Sequence, residues 1–473
     1  MITKSDFRLF LDSPRHLWAK RQQQWQAVEN VFEQKLAAEG YEVEKQARDF
    51  LQQQAQKDKH LVYTQKELID GEFLAKIDIL IYKPASDSYD VYEVKSSAYE
   101  REKDKLNKID LYDITFQTLI AEKHFKIDHN YLLLLNADYV RKGEIDWAEL
   151  LIKVEVSEEI AKLKAEVEEK REQAVAVAKA EDCGAWPACY NPKKCGCLSV
   201  CHPNLPEHHI YQVFYQSRSL LKKLRQAGII DLFGVSAKIA MSDKQAKQML
   251  IYRSQERLIE VNLIKNELSK YEWPLYFLDY ETNASAIPEF DGHLPHQNQV
   301  VQYSLHIIEA GGQIRHEEFV YQGEADPMRA TLEHLSERIG EQGTILVWNE
   351  AFEKSVNEKA ALSYPDLAGQ LQAINDRIRD LANSFKNQWY LDRKFHGSWS
   401  IKNVLPVLCP DLSYQDLEIG KGDVAMMQWR KMNEVKTSEQ EREKIKQDLL
   451  AYCQLDTWAM VRIWQELVKL GGS

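Results

Sequence analysis

The sequence predicts an α/β protein made of two catalytic-type domains joined by a cysteine-rich, helical connector. Three observations carry that reading. Apolar, β-branched segments that give way to helical ones occur twice, once around residues 73–125 and again from residue 273 onward. Five of the seven cysteines lie between Cys183 and Cys201. A length of 473 residues also exceeds what one hydrophobic core ordinarily organises. The expected division is 1–205 for the first domain with its cysteine segment, 206–270 for a helical connector, and 271–473 for the second domain.

Charge narrows the partners. A formal net charge of -12 argues against a uniformly basic nucleic-acid coat, yet leaves room for a local basic groove that contacts phosphates. The first residues, MITKSDFRLFLDSPRHLWAKR, carry Lys4, Asp6 and Arg8 and lack the apolar core of a secretory signal. No later stretch approaches the length of a membrane span. These features lead us to expect a cytoplasmic protein with no membrane partner, whose cysteines are reduced and better suited to metal than to disulfides.

In chain order, residues near 20 to 55 read as a helix, with Val43, Ala47, Phe50 and Leu51 on one face. FLAKIDILIY and YDVYEVKSS read as neighbouring strands joined through the turn-forming PASDS, and a helix through DLYDITFQTLIAEKHF returns over them. Asp78 sits between Ile77 and Ile79 on the first strand; Glu93 and Lys95, two apart on the second, point to the same face. Two carboxylates so placed suit magnesium or manganese, and a lysine beside them suits a developing negative charge on phosphate.

An aspartate on a strand, E-V-K fifteen positions later, and a following helix that carries Gln117 together resemble the RecB-like family of PD-(D/E)XK nucleases. The resemblance implies a restriction-endonuclease-like domain. It also implies a metal-side acid from GYEVEKQAR, either Glu42 or Glu44, which stand about 200 degrees apart around a helix so that at most one faces the metal. Gln117 matches the glutamine that follows E-x-K in the family, while Ala121 replaces the usual later tyrosine.

Residues 157–180 form a charged run expected to be a solvated helix. The segment DCGAWPACYNPKKCGCLSVCHP follows. In it Cys183, Cys189, Cys195 and Cys201 recur every six residues, with Cys197 as a spare, and Gly184, Pro187, Pro192 and Gly196 let the chain wrap. Four thiolates suit an iron–sulfur cluster or a structural zinc. The segment resembles the cluster-binding end of CRISPR-associated RecB-like exonucleases, which implies a four-iron, four-sulfur cluster. In that family one ligand is an early cysteine; Ser13 stands in its place here, so the resemblance puts Cys183 forward as the substitute.

The second αβ pattern runs through WPLYFLDYET, QVVQYSLHII and TILVWNEAF to the helix QDLLAYCQLDTWAMVRIWQELVKL. Asp279 and Glu281 share one strand face, Tyr452 and Asp456 share one helix face, and Asn349 and Glu353 follow a strand. A buried strand rarely keeps such a carboxylate pair without a metal or partner. The order resembles the DEDD exonucleases of the RNase H-like fold, with Phe352-Glu353 where Phe-Asp is usual. The chain as a whole is similar to an uncharacterised bacterial family that fuses a RecB-like nuclease to such a domain, with further signatures in GSWSIKNVLPVLCPDLSY and LLAYCQLDTWAM. Asp392 is expected to be structural, and Lys402 solvated rather than bound to phosphate.

These readings lead us to expect a metal-dependent nuclease. DNA stands ahead of RNA as the substrate; the first site cleaves and the second domain trims a strand from its 3′ end. Two alternatives stay open: a ribonuclease that works through the second domain, and a nucleic-acid-binding protein that keeps both folds without turnover.

Overall fold

In β5 (Ile127–Asn136), Leu132 and Leu134 pack into one apolar cluster while Leu133 and Leu135 pack into another, so both faces of the strand are covered. The computed structural model describes residues 1–26, 31–103, 105–236, 238–415 and 417–471. It is a mixed α/β structure that divides into two compact units, Met1–Asn204 with Ser285–Gln297, and Leu205–Ala284 with Asn298–Ser473.

The first unit runs β1 (Ile2–Thr3), α1 (Lys4–Asp12), α2 (Pro14–Arg21), α3 (Val31–Lys57), β2 (Leu61–Asp70), β3 (Phe73–Lys83), β4 (Ser88–Tyr99), α4 (Lys108–Ala121), β5, α5 (Trp147–Leu150), β6 (Leu151–Glu155), α6 (Ser157–Lys179) and α7 (Leu198–Cys201). The single helix read over residues 20 to 55 is thus two helices, and its residues 27–30 lie outside the described residues. Six strands form one sheet in the order β1-β3-β4-β5-β6, with β2 also paired to β3. The α4 side carries Ile114, Phe116 and Ile120 against Leu132 and Leu134; the α3 side carries Val43, Ala47 and Leu51 against Ile79 and Leu133. Ala286, from the later inserted stretch, joins that second cluster.

The second unit opens with α8 (Arg218–Gln226), α9 (Asp243–Ser254), β7 (Leu258–Ile259) and α10 (Val261–Leu268), so the connector of the sequence reading belongs to this body. It continues through β8 (Leu275–Asn283), β9 (Gln299–Ile308), β10 (Ile314–Val320), α11 (Pro327–Ser336), β11 (Thr344–Val347), α12 (Glu350–Ser363), α13 (Ala368–Arg377), β12 (Ile378–Asp380), α14 (Asn383–Lys386), β13 (Tyr390–Leu391), α15 (Ile401–Leu408), α16 (Gly422–Met432) and α17 (Glu439–Gly471). Its main sheet has the order β10-β9-β8-β11-β12, with β9 antiparallel and β11 parallel to the central β8. β10 and β12 are additions to the strands expected from sequence.

Strand alternation along β8 positions the chemistry. Tyr276, Leu278 and Tyr280 pack with α11, α12 and α13, whereas Leu275 and Phe277 pack with α10, α15 and α17. Asp279 and Glu281 continue the second series and therefore share the α17 face. Among the described residues, no helix is long and apolar enough to cross a membrane.

Candidate functional site

In the first unit the β3–β4 ladder is paired at Ile79 and Tyr92, which leaves Asp78 alongside Glu93. There the Val94 N–H donates to Asp78 Oδ2 at 3.0 Å. The pairing of β4 with β5 is irregular between Val94 and Ala98, and this break re-aims the strand at Lys95. Lys95 Nζ lies 2.7 Å from Glu93 Oε1 and 2.7 Å from Asp113 Oδ2, with Asp110 Oδ1 at 3.7 Å. Gln117 donates to the other Glu93 oxygen from α4. The structure therefore brings Asp78, Glu93, Lys95 and Gln117 together.

Two kinds of group were not anticipated. Lys4, at the start of α1, places Nζ 2.6 Å from the same Glu93 Oε1, so two ammonium groups share one carboxylate oxygen. Asp113, fully buried, receives Lys95 and has Arg8 at 3.6 Å. The spacing of Asp110, Asp113 and Gln117 at i, i+3 and i+7 on one helix would have revealed the two acids; nothing local points to Lys4.

Of the two acids on α3, Glu44 accepts a hydrogen bond from Gln65 and is close enough to raise the pKa of Asp78. Glu42 instead pairs with Gln46 at 2.8 Å and Lys45 at 3.8 Å, with its side chain 46% exposed. Helical rotation turns it away, so Glu42 leaves the set of metal-side candidates. Burial and the charge of Glu93 push the Asp78 carboxyl up to about 8. Burial also opposes ionisation of Glu93, but Lys95 and Lys4 outweigh it and hold that group low. Lys95 stays cationic: burial works against its charge, and Glu93 and Asp113 more than restore it.

In the second unit Asp279 and Glu281 come from β8, Glu353 from the first turn of α12, and Tyr452, Cys453 and Asp456 from α17. Ligand atoms of Asp279, Glu281 and Cys453 lie within 4.8 Å of one another. The Cys453 thiol points at Asp279 Oδ2, 3.8 Å away. Tyr414 donates to Asp456 Oδ1 at 2.5 Å, and Lys402 donates to Tyr452 Oη at 3.3 Å and to the Gly420 carbonyl at 2.7 Å. Lys402 is thus engaged rather than solvated.

Asp380, unread in the sequence, ends β12 and accepts from the Glu350 N–H at 3.3 Å and the Ala382 N–H at 2.9 Å, with Lys386 paired at 2.5 Å. It anchors the first turn of α12 and so holds Glu353 in place. Asp392 caps the following turn by accepting from the Lys394 N–H at 2.9 Å. Glu353 is 3% exposed, and its Oε2 is buried without a hydrogen-bond partner. Burial pushes its carboxyl up to about 8. Burial and then the charges of Asp456, Glu281 and Glu353 push Asp279 well above the carboxylate range, and burial also raises Glu281 and Asp456. Several acids crowded into a poorly solvated space are a demand for positive charge.

The cysteine segment gathers differently from its sequence spacing. His16 of α2 lies with Cys195, Cys197 and Cys201, all buried, their ligand atoms within 4.8 Å of one another, an arrangement compatible with a metal site. Cys189 joins the same apolar pocket, its thiol 3.3 Å from His202 Nε2. Cys183 is buried but stands outside both sets. Hydrogen bonds from α2 to the cysteine segment cause this arrangement. Arg15 donates to the carbonyls of Trp186 at 2.7 Å and Val200 at 3.0 Å, and Ser13 donates to that of Pro187 at 3.2 Å. These bonds clamp α2 to the segment and present His16, so that Cys197 is a member and Cys183 is the spare.

Comparison with known proteins adds similarity without chemistry. The family described as "Domain of unknown function (DUF2779)" matches residues 276–400. The "Uncharacterized protein MG366 homolog" of Mycoplasma pneumoniae is 28% identical over 223 residues, covering 43% of this chain and 33% of that protein. The "Uncharacterized protein MG366" of Mycoplasma genitalium is 27% identical over 235 residues, covering 44% and 34%. The chain thus spans about a third of the length of the curated relatives it matches. No solved structure matches.

Proposed function

We propose that this protein is a metal-dependent nuclease with two acidic centres, a PD-(D/E)XK-type site at Asp78, Glu93 and Lys95 and a DEDD-type site at Asp279, Glu281, Glu353 and Asp456. The single observation that carries the proposal is the convergence of those last four acids from three separate elements, with a buried, partnerless Glu353 oxygen among them. A central strand bearing two of the acids, flanked by antiparallel β9 on one side and by parallel β11 and β12 on the other, supports an RNase H-like reading of the second unit. The donor set of hard carboxylate oxygens fits magnesium or manganese, which when bound would polarise phosphate and activate water.

The chain's own groups have distinct tasks. Lys95, held cationic between Glu93 and Asp113, stabilises negative charge on phosphate rather than taking a proton. Gln117 fixes the Glu93 carboxylate. Burial and the surrounding acids keep the Tyr452 phenol protonated, so it serves as a hydrogen-bond donor that orients water. Glu353, longer than the aspartate usual at its position, stands at the start of α12 close enough for its charge to act on Asp279.

The test is cleavage of labelled single- and double-stranded DNA and RNA with magnesium, manganese or chelator. Cation-dependent cleavage of DNA is the expected result. Cleavage of RNA alone would favour a ribonuclease, and no cleavage of any substrate would sink the enzymatic reading.

The acidic centre also makes stability depend on pH. A carboxyl raised in the folded state binds its proton there more tightly than in the unfolded chain, so its contribution is full below the unfolded value of about 4.3 and is lost as pH rises toward the folded one. For Glu353 that folded value is about 8. In chelator, the melting temperature should therefore fall by roughly 5 °C between about pH 5 and about pH 8, and manganese should restore it at the upper end. A melting temperature that is flat over this range and indifferent to manganese would contradict the assignment.

A further inference from the structure

The four-iron, four-sulfur cluster implied by resemblance does not fit the ligand set that the structure assembles. We infer that His16, Cys195, Cys197 and Cys201 hold a single tetrahedral ion of the zinc class, with His16 as the fourth ligand. Sγ of Cys195 lies 4.0 Å from that of Cys197, Cys197 lies 3.7 Å from Cys201, and His16 Nε2 lies 3.4 Å from Cys195. Bond lengths of about 2.3 Å to sulfur and about 2.0 Å to nitrogen around one zinc require tetrahedral edges of about 3.8 Å between sulfurs and about 3.5 Å between sulfur and nitrogen. The three observed edges match, and all the ligand atoms lie within 4.8 Å of one another. A four-iron cluster spreads its thiolates over separate iron corners and needs wider edges than these.

The histidine is set up for this task. Asp12 Oδ2 lies 2.8 Å from His16 Nδ1, near enough to pair with it in charge though out of hydrogen-bond alignment, and Nε2 on the other side of the ring faces the Cys195 thiol at 3.4 Å. The site is also closed, as structural zinc sites are. His16 is 1% exposed, the three cysteines are 9% exposed or less, and the Gln26 N–H donates to the Gly196 carbonyl at 2.8 Å over the top. A Cβ at Gly196 would come within 2.5 Å of the Gln26 carbonyl, so glycine is what allows that close cover. With α2 on one side and the cysteine loop on the other, one ion pins a chain crossing that spans 179 residues of sequence. Cys183 lies outside the set, whereas the Cys189 thiol reaches those of Cys195 and Cys201 and is the competing fourth ligand.

The experiment is metal analysis with X-ray absorption on full-length protein purified without oxygen. About one zinc per chain, a colourless solution and a first shell of three sulfurs and one nitrogen are expected. Iron with sulfide, a brown colour and absorption near about 400 nm would overturn the proposal. So would a zinc shell of four sulfurs, which would put Cys189 in place of His16, or protein that takes up no zinc on titration. Cys183→Ser should keep the full zinc content, whereas His16→Ala should weaken zinc binding at least about tenfold and His16→Cys should recover it. Equal zinc retention by His16→Ala and wild type would remove the histidine from the site, and the X-ray absorption of wild type decides the matter even where a variant fails to fold.

Discussion

Lys95→Ala is expected to lower cleavage by the first centre by about a thousandfold while leaving the second centre active. The lysine is the group best placed to meet charge as it develops on phosphate, because Glu93 and Asp113 hold its ammonium at 2.7 Å on either side. Its loss also removes one of the cations around a buried acid pair, and breaking such a pair costs about 3–5 kcal/mol when nothing else compensates. Here Lys4 stays on Glu93 at 2.6 Å and Arg8 stays 3.6 Å from Asp113, so the fold should survive with a reduced melting temperature. The measurement is cleavage by Lys95→Ala and by a variant already lacking the second centre, each followed by thermal unfolding. Equal loss of both activities in a folded Lys95→Ala protein would contradict two independent centres.

That the first centre could be read from sequence follows from how local its signals are. Strand period puts Glu93 and Lys95 on one face, and a following helix delivers Gln117. Lys4 and His16 were invisible for the opposite reason: they meet partners 89 and 179 residues away, through packing that no spacing encodes. The six-residue recurrence of the cysteines was misleading, because in a loop the positions along the chain do not fix positions in space. Cys197 therefore enters the site ahead of Cys183. β10, IRHEEFV, is a polar edge strand with little apolar alternation, and β12 has three residues, so neither left a readable pattern. Asp380 went unnoticed with β12, although it is what anchors the helix that carries Glu353.

Asp279→Asn separates a catalytic acid from a structural one because its two effects have opposite signs. Asp279 lies in a space where burial comes first, and Asp456, Glu281 and Glu353 then add repulsion. An acid there costs stability while no cation is bound, so replacing it with a neutral isostere should raise the melting temperature in chelator, by roughly 2–4 °C if about 1 kcal/mol is recovered. The same change removes a hard oxygen ligand with a full charge. Stabilisation by manganese should shrink, and cleavage by the second centre should fall by about a thousandfold, in line with losing a group that acts on the transition state. A merely structural aspartate behaves otherwise: its replacement lowers the melting temperature with and without manganese and leaves the response to the ion unchanged. That second pattern, read by thermal unfolding beside cleavage, would remove Asp279 from the metal centre, and with it the strongest support for a nuclease in this half of the chain.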